Sequence, residues 1–263
     1  MSRLGPVFER LRAEARLGLS MFVTTGFPHL NDTPAIVERL VGAGADIIEL
    51  GVPFSDPLAE GRTIQASSQR ALRNGVTVPF CIETARQCRA RVEAPIVFMG
   101  YLNPILAYGL DRFCTDAAVA GIDGLIVADL SMEEAETIHV ACRQAGLDLI
   151  LFIAPTSTEE RMRTVARLAT GFIYCISVTG VTGSRASLAG EVDEMLERIR
   201  ALTDTPLALG FGISSREHLE RLRGKVDAAI VGSALIDHIT EDDPAGSAAA
   251  FVTQLRGGPA VGS

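Results

Sequence analysis

One carboxylate stands inside an otherwise apolar run, Ile47-Ile48-Glu49-Leu50-Gly51. A carboxyl in such a place must be paired, hydrogen-bonded or kept neutral by a raised pKa, and the last condition suits a group that gives and takes protons. A structural ion pair or a polar layer is the competing account. The turn that follows, Gly51 to Arg62, adds Asp56 and Glu60 on a segment stiffened by Pro53 and Pro57, which suits a loop that folds over a ligand or meets a partner. Either acid taken alone could belong to a solvated surface loop. Asp129 ends Leu125-Ile126-Val127-Ala128 in an analogous place, where capping a turn is the commoner role.

A second kind of chemistry is suggested by glycine turns after three successive apolar runs. Gly180-Val181-Thr182-Gly183 follows Phe172 to Ile176, Gly210-Phe211-Gly212 follows Pro206 to Leu209, and Gly232-Ser233 follows Val226 to Val231. Bare backbone N–H groups from three neighbouring turns, with a short helix from Ser233 aiming its positive end at the same point, would hold a phosphate without a lysine. One such turn alone is as readily a plain tight turn.

These groups need a frame that brings the ends of many strands together. A local unit recurs: a helix stops at a glycine, an aspartate follows, and an apolar strand begins, as at Gly44/Asp46, Gly121/Asp123, Gly146/Asp148 and Gly224/Asp227. Glycine supplies the left-handed conformation that ends a helix, and continuous apolar runs suit parallel strands buried on both faces. Eight strands are expected at about 18–24, 46–51, 95–100, 124–128, 148–153, 171–177, 206–210 and 227–231. Amphipathic helices lie between them, clearest where Val192, Met195, Leu196, Ile199 and Leu202 recur, and where Val78, Cys81, Ile82, Ala85 and Cys88 do the same. Ser131 and Glu134 have capping-box spacing. Extra helices are expected at 3–16, 62–73, 103–108 and 244–256. Eight alternations favour a closed α/β barrel, (β/α)8, over an open doubly wound sheet, with chemistry at the C-terminal ends of the strands.

The 263 residues, 48% of them hydrophobic, are close to the ~250 typical of one such barrel. The expectation is one domain over 1–263 with 257–263 as a flexible tail. A net charge of −8 argues against nucleic acid or an anionic membrane as partner. No apolar run approaches a membrane span, and the first ten residues break into charge too early for a signal peptide, so a cytoplasmic location is expected. The five cysteines, with no C-x-x-C pair, read as buried small hydrophobes, and the four scattered histidines predict no metal.

Glu49-Leu50-Gly51-Val52-Pro53-Phe54-Ser55-Asp56-Pro57-Leu58-Ala59 resembles the signature segment of the tryptophan synthase alpha subunit family. The likeness runs from about Phe8 to Ile239 and includes Met99-Gly100-Tyr101-Leu102-Asn103-Pro104-Ile105, the turn Ser177 to Gly183, Gly210 to Ser214 and Val231 to Ala234. It implies a (β/α)8 TIM barrel that cleaves indole-3-glycerol phosphate to indole and glyceraldehyde 3-phosphate. No cofactor of its own is implied, and the partner is a pyridoxal-phosphate beta subunit in an alpha2-beta2 tetramer. By the resemblance Glu49 is the acid–base group and Glu60 the carboxylate that accepts the indole N–H. Phe22 and Ile64 form the apolar wall, and Tyr174 stands beside the catalytic glutamate. Tyr101, Asp129, Thr182 and Phe211 complete the substrate pocket, and Gly183, Gly212, Gly232 and Ser233 form the phosphate cup.

The chain departs from the family pattern at Glu60 (aspartate in the pattern), Arg62 (proline) and Ser131 (proline). The extra methylene of Glu60 moves its charge by about 1.5 Å, and Arg62 is expected to compete for that charge. A weakly active or inactive regulatory alpha subunit, and a different phosphate-sugar barrel enzyme such as an epimerase, are the alternatives.

Overall fold

A computed structural model describes residues 2–176, 185–210 and 212–258, with backbone alone over 185–189. Among these residues eight parallel strands run in chain order around a closed barrel: β1 (Gly18–Thr24), β2 (Ile47–Gly51), β3 (Ile96–Gly100), β4 (Gly124–Val127), β5 (Asp148–Ile153), β6 (Ile173–Ile176), β7 (Leu207–Gly210) and β8 (Ala228–Val231). Pairing of Gly18 with Ala228 and Met21 with Val231 closes the cylinder. Closure rules out the open sheet and leaves no free strand edge. Each strand begins within two residues of its expected start.

Helix α1 (Leu4–Ala13) precedes the barrel. The connections carry α2 (Thr33–Gly42), α3 (Arg62–Arg73), α4 (Val78–Arg89), α5 (Leu102–Tyr108), α6 (Leu110–Val119), α7 (Met132–Ala145), α8 (Glu159–Leu168), α9 (Arg185–Arg200) and α10 (Arg216–Leu222). After β8 come α11 (Ser233–His238) and α12 (Pro244–Arg256). The four extra helices read from the sequence are α1, α3, α5 and α12. Apolar stripes face the barrel as periodicity requires: Cys81, Ile82, Ala85 and Cys88 of α4 are buried, as are Met195, Leu196 and Ile199 of α9. Leu202 of the expected stripe is exposed, because α9 stops at Arg200. All five cysteines are buried and unbonded to one another. The Ser131 hydroxyl accepts the Glu134 N–H and donates to the Glu134 carboxylate, so half of the capping box forms and the side chains close the other half on each other.

Gly44, Gly121, Gly146 and Gly224 take left-handed φ values, as helix-stopping glycines should. The aspartates after them do more than mark the turn. Asp46 accepts the Leu19 N–H, Asp123 the Ile96 N–H and Asp227 the Leu207 N–H, each from a neighbouring strand at 2.8 to 2.9 Å. Arginines neutralise all three: Arg16, Arg10 and Arg256 at Asp46, Arg3 and Arg89 at Asp123, and Arg12 and Arg200 at Asp227. Arg3, Arg10, Arg12 and Arg16 belong to α1 or its flanks, while Leu4, Phe8 and Leu11 of α1 join the barrel interior with Ile47, Val97, Ile126 and Phe172. The first helix is therefore a stopper for the N-terminal end of the barrel, apolar on its inner face and cationic at its rim. Gly257 and Gly258 close α12 by donating to Gln254 and Thr253 carbonyls; 259–263 lie outside the described residues.

With α1 packed over that end, the opposite end, where the strands terminate, is where chemistry belongs in such a barrel. Among the described residues no helix is long and apolar enough to cross a membrane, and no cluster of three His, Cys, Asp or Glu side chains could hold a metal ion.

Candidate active site

Glu49 lies on β2 in register with Phe22 of β1 and Val97 of β3, two residues short of the open end of the strand. Inward pointing follows from the alternation of side chains along a strand, because Ile47, two residues earlier, belongs to the barrel interior. The Glu49 carboxyl is fully buried. Its Oε1 accepts a 2.7 Å hydrogen bond from the Ser20 hydroxyl on β1, while Oε2 has no hydrogen-bond partner among the described residues. Burial pushes its pKa up to about 7; the Ser20 bond opposes that rise and the charge of Glu60 adds to it. An isolated carboxyl in this state exchanges a proton near neutrality, which is what a group acting first as acid and then as base requires.

Glu60 sits between β2 and α3, held by main-chain contacts: its N–H donates to the Pro57 carbonyl at 3.0 Å, and its own carbonyl accepts from Gln65 Nε2 at 2.9 Å. The side chain is half-buried, and burial pushes it too up to about 7. The expected competition from Arg62 is not realised. Arg62 is exposed at the first position of α3, and among the described residues no ion pair links it to Glu60. Between them Gly61 caps the helix start in an extended conformation (φ −74°, ψ 167°), so Glu60 and Arg62 do not share a helix face.

Tyr174 of β6 points toward the same carboxyls. Its ring packs on Phe152 at 4.7 Å between centroids, and its pKa is driven up by burial and then by the charges of Glu49 and Glu60. A Cβ at Gly210 on β7 would stand 2.5 Å from the Tyr174 hydroxyl, and one at Gly51 would stand 2.5 Å from the Phe22 ring. Glycine at these strand ends lets both aromatic rings lie across the barrel mouth. Ile64, in the first turn of α3, is buried in the same core as Phe22.

Tyr101, buried just past β3, accepts the Ala59 N–H at 3.1 Å and packs on Phe54 at 5.2 Å, which ties the β3–α5 turn to the long loop carrying Glu60. Asp129 accepts the Leu102 N–H at 2.8 Å. It thus caps the start of α5 from the segment after the neighbouring strand β4.

Of the residues expected to form a phosphate cup, Gly212 follows β7 with φ +69°, a conformation that favours glycine. Gly232 and Ser233 join β8 to α11, and Gly232 lies against the Phe22 side chain. Because β7 and β8 are hydrogen-bonded neighbours and β8 pairs with β1, these turns share one sector of the rim with Phe22. Thr182, Gly183 and Phe211 lie outside the described residues. Reasoning from the sequence missed Ser20. The signal was present, since a serine interrupts Leu19-Ser20-Met21-Phe22 much as Glu49 interrupts its own strand.

A profile described as tryptophan synthase alpha chain matches residues 8–256, nearly the whole chain. The chain belongs to that family. The tryptophan synthase alpha chain of Roseiflexus castenholzii is 51% identical over 98% of this chain and 100% of its own length, and that of Chloroflexus aurantiacus is 47% identical over 97% of each. Among solved structures, Mycobacterium tuberculosis tryptophan synthase superposes with a TM-score of 0.89 at 38% identity, covering 99% of both chains. Membership in the tryptophan synthase alpha chain family disposes of the epimerase alternative.

Proposed function

We propose that this chain is a carbon–carbon lyase that cleaves indole-3-glycerol phosphate to indole and glyceraldehyde 3-phosphate, with Glu49 moving the protons and Glu60 stabilising the ring. The observation that carries this reading is the buried Glu49 carboxyl with one unpartnered oxygen, set beside a second raised carboxyl at the open end of the barrel. In the forward direction neutral Glu49 delivers a proton to the indole carbon that bears the side chain. The resulting cation carries its charge on the ring N–H, which ionised Glu60 accepts as a hydrogen bond. The Glu49 carboxylate then removes the proton of the adjoining side-chain hydroxyl. The bond between the ring and that carbon breaks, its electron pair restores the aromatic indole, and the hydroxyl carbon becomes the aldehyde. Glu49 ends as it began, protonated.

Phe22 and Ile64 supply the apolar wall for the ring, and Tyr174 crowds the carboxyls from β6 and excludes water. Gly212, Gly232 and Ser233 offer backbone N–H groups to the phosphate, with Thr182, Gly183 and Phe211 assigned to the same ligand by family likeness. A single barrel domain suffices for all of these roles.

This mechanism needs Glu49 protonated and Glu60 ionised at once, although both carboxyls stand at about 7. Because each charge disfavours the other, the pair holds one proton over a range around neutrality and titrates as a unit. The kcat/KM profile is therefore expected to be bell-shaped around pH 7. Activity falls on the acid side as Glu60 gains a proton, and on the alkaline side as Glu49 loses one. A profile flat from pH 5.5 to 9 would remove the pair from the rate-determining chemistry.

The partner is a tryptophan synthase beta chain, which consumes the indole, in an alpha2-beta2 assembly. Leu58, 91% exposed in the long loop, and Leu106, 52% exposed on α5, are large apolar side chains at the open end of the barrel, on the loop and helix that Tyr101 links. Apolar side chains held out in this way fit a surface covered by a partner. Leu58→Ser with Leu106→Ser is expected to weaken the alpha–beta complex by roughly ten- to a hundredfold, the scale of one or two interface anchors. Analytical ultracentrifugation reads this directly, and an unchanged dissociation constant would move the docking face elsewhere.

A further inference from the structure

We propose that Ser20 is a positioning residue for proton transfer at Glu49: its buried hydroxyl fixes Oε1 and so leaves Oε2 as the oxygen that meets the substrate. The inference rests on the reading of Glu49 as the acid–base group. Three observations carry it. Ser20 is fully buried on β1, two residues before Phe22, so its side chain enters the barrel beneath the substrate wall. Its Oγ donates to Glu49 Oε1 at 2.7 Å, a well-formed hydroxyl–carboxyl hydrogen bond. Oε2, equally buried, has no hydrogen-bond partner among the described residues.

A terminal carboxyl torsion is broad and two-fold, so an untethered glutamate would present either oxygen in a range of orientations. A donor on one oxygen removes that degeneracy. It also acts on the chemistry, because a hydroxyl that donates to the carboxylate stabilises the ionised form. Without it, burial and the neighbouring Glu60 charge would both favour the neutral acid, and the proton would be harder to release to the ring. The titratable groups that bear on Glu49 are Glu60 from the β2–α3 loop and Tyr174 from β6. Its register partner on β3, Val97, is apolar and belongs to the interior cluster that Ile126 and Ile230 share. Neither titratable neighbour is a cation, so among the described residues the Ser20 hydroxyl is what steadies the carboxylate.

The test compares Ser20→Thr with Ser20→Val, which add the same methyl group and differ only in the hydroxyl, together with Ser20→Ala, which needs no added room. Two readouts are used: the pH dependence of cleavage of indole-3-glycerol phosphate, with and without the beta chain, and a 13C NMR titration of the Glu49 carboxyl in the substrate-free protein. The alanine and valine variants are expected to lose roughly tenfold in kcat with KM within about twofold. Their alkaline limb and NMR titration should both move to higher pH by about one pH unit, as follows from deleting a hydrogen bond to a charged group. Threonine should restore the parental profile. Equal behaviour of threonine and valine, or an alanine variant whose kcat and titration stay where the parent has them, overturns the proposal. If the branched variants fail to fold, the alanine titration decides. A Glu49→Gln variant run beside them separates the two readings. Retained turnover in that variant overturns the role of Glu49, whereas its loss together with unshifted Ser20 variants overturns only the role of Ser20.

Discussion

Glu49→Gln is expected to lower turnover of indole-3-glycerol phosphate by a factor on the order of 10³, the range for loss of a general acid–base group. Glutamine keeps the length and shape of the side chain and can still accept the Ser20 hydrogen bond at its carbonyl oxygen. It cannot carry a proton to the ring or take one from the hydroxyl, so both halves of the reaction stop at once. Binding should survive, because the groups assigned to the phosphate and the ring wall lie on β1, α3 and the segments that follow β6, β7 and β8. The dissociation constant of glycerol 3-phosphate, read by calorimetry, is expected to stay within about threefold of the parent. A variant retaining more than about a tenth of parental kcat would take Glu49 out of the proton transfers. If the parent binds substrate but does not cleave it, the chain is a regulatory subunit.

The second large effect belongs to the sealed end. Asp227 receives the Leu207 N–H and the guanidinium groups of Arg12 and Arg200. Asp227→Ala would leave that buried N–H without an acceptor and two arginines without a counter-charge. Arg12 and Arg200 are partly exposed, so water screens them and the cost falls toward the lower end for a broken buried pair, about 3 kcal/mol. For a chain of this size that is about 6–12 °C in melting temperature. Calorimetry checks it, and a change below about 2 °C would show that the ring of aspartates contributes little.

The same group gives an acid signature. Burial works to raise the Asp227 pKa, but the Arg12 bond, the Leu207 N–H and Arg200 outweigh it and hold the carboxyl below its ordinary 3.8. A folded pKa below the unfolded one gives stability that is complete above the unfolded value. That stability is lost as pH falls through the folded pKa, so the window lies below about pH 4. The parent should therefore lose more stability than the variant between pH 4 and pH 2.5. Parallel losses would place the acid sensitivity at another group.

The sequence carried the strands because both faces of a parallel barrel strand are buried, which leaves continuous apolar runs, and because glycine must end the helices before them. The same rule made Glu49 visible: a charge where periodicity demands an apolar side chain. Ser20 obeys the rule too, but a serine is small and weakly polar, and in a strand it reads as a neutral filler until its neighbour is known. The Glu60–Arg62 expectation failed because nearness in sequence is not nearness of charged groups at a helix start, where the backbone turns between them.

By itself, then, the order of residues determined the number of strands, their alternation with helices, the family and the carboxyl at the strand end, since all of these rest on local periodicity and on short motifs. Tertiary structure alone decided three things: that α1 stoppers one end with its arginines on a ring of aspartates, that Tyr101 and Asp129 brace neighbouring turns, and that Ser20 grips one oxygen of Glu49 and leaves the other unpartnered. Each joins residues 27 or more positions apart, or on different strands, and the sequence gives no sign of such a meeting. Only closure of the barrel, which sets β1 between β2 and β8, puts them within hydrogen-bonding distance.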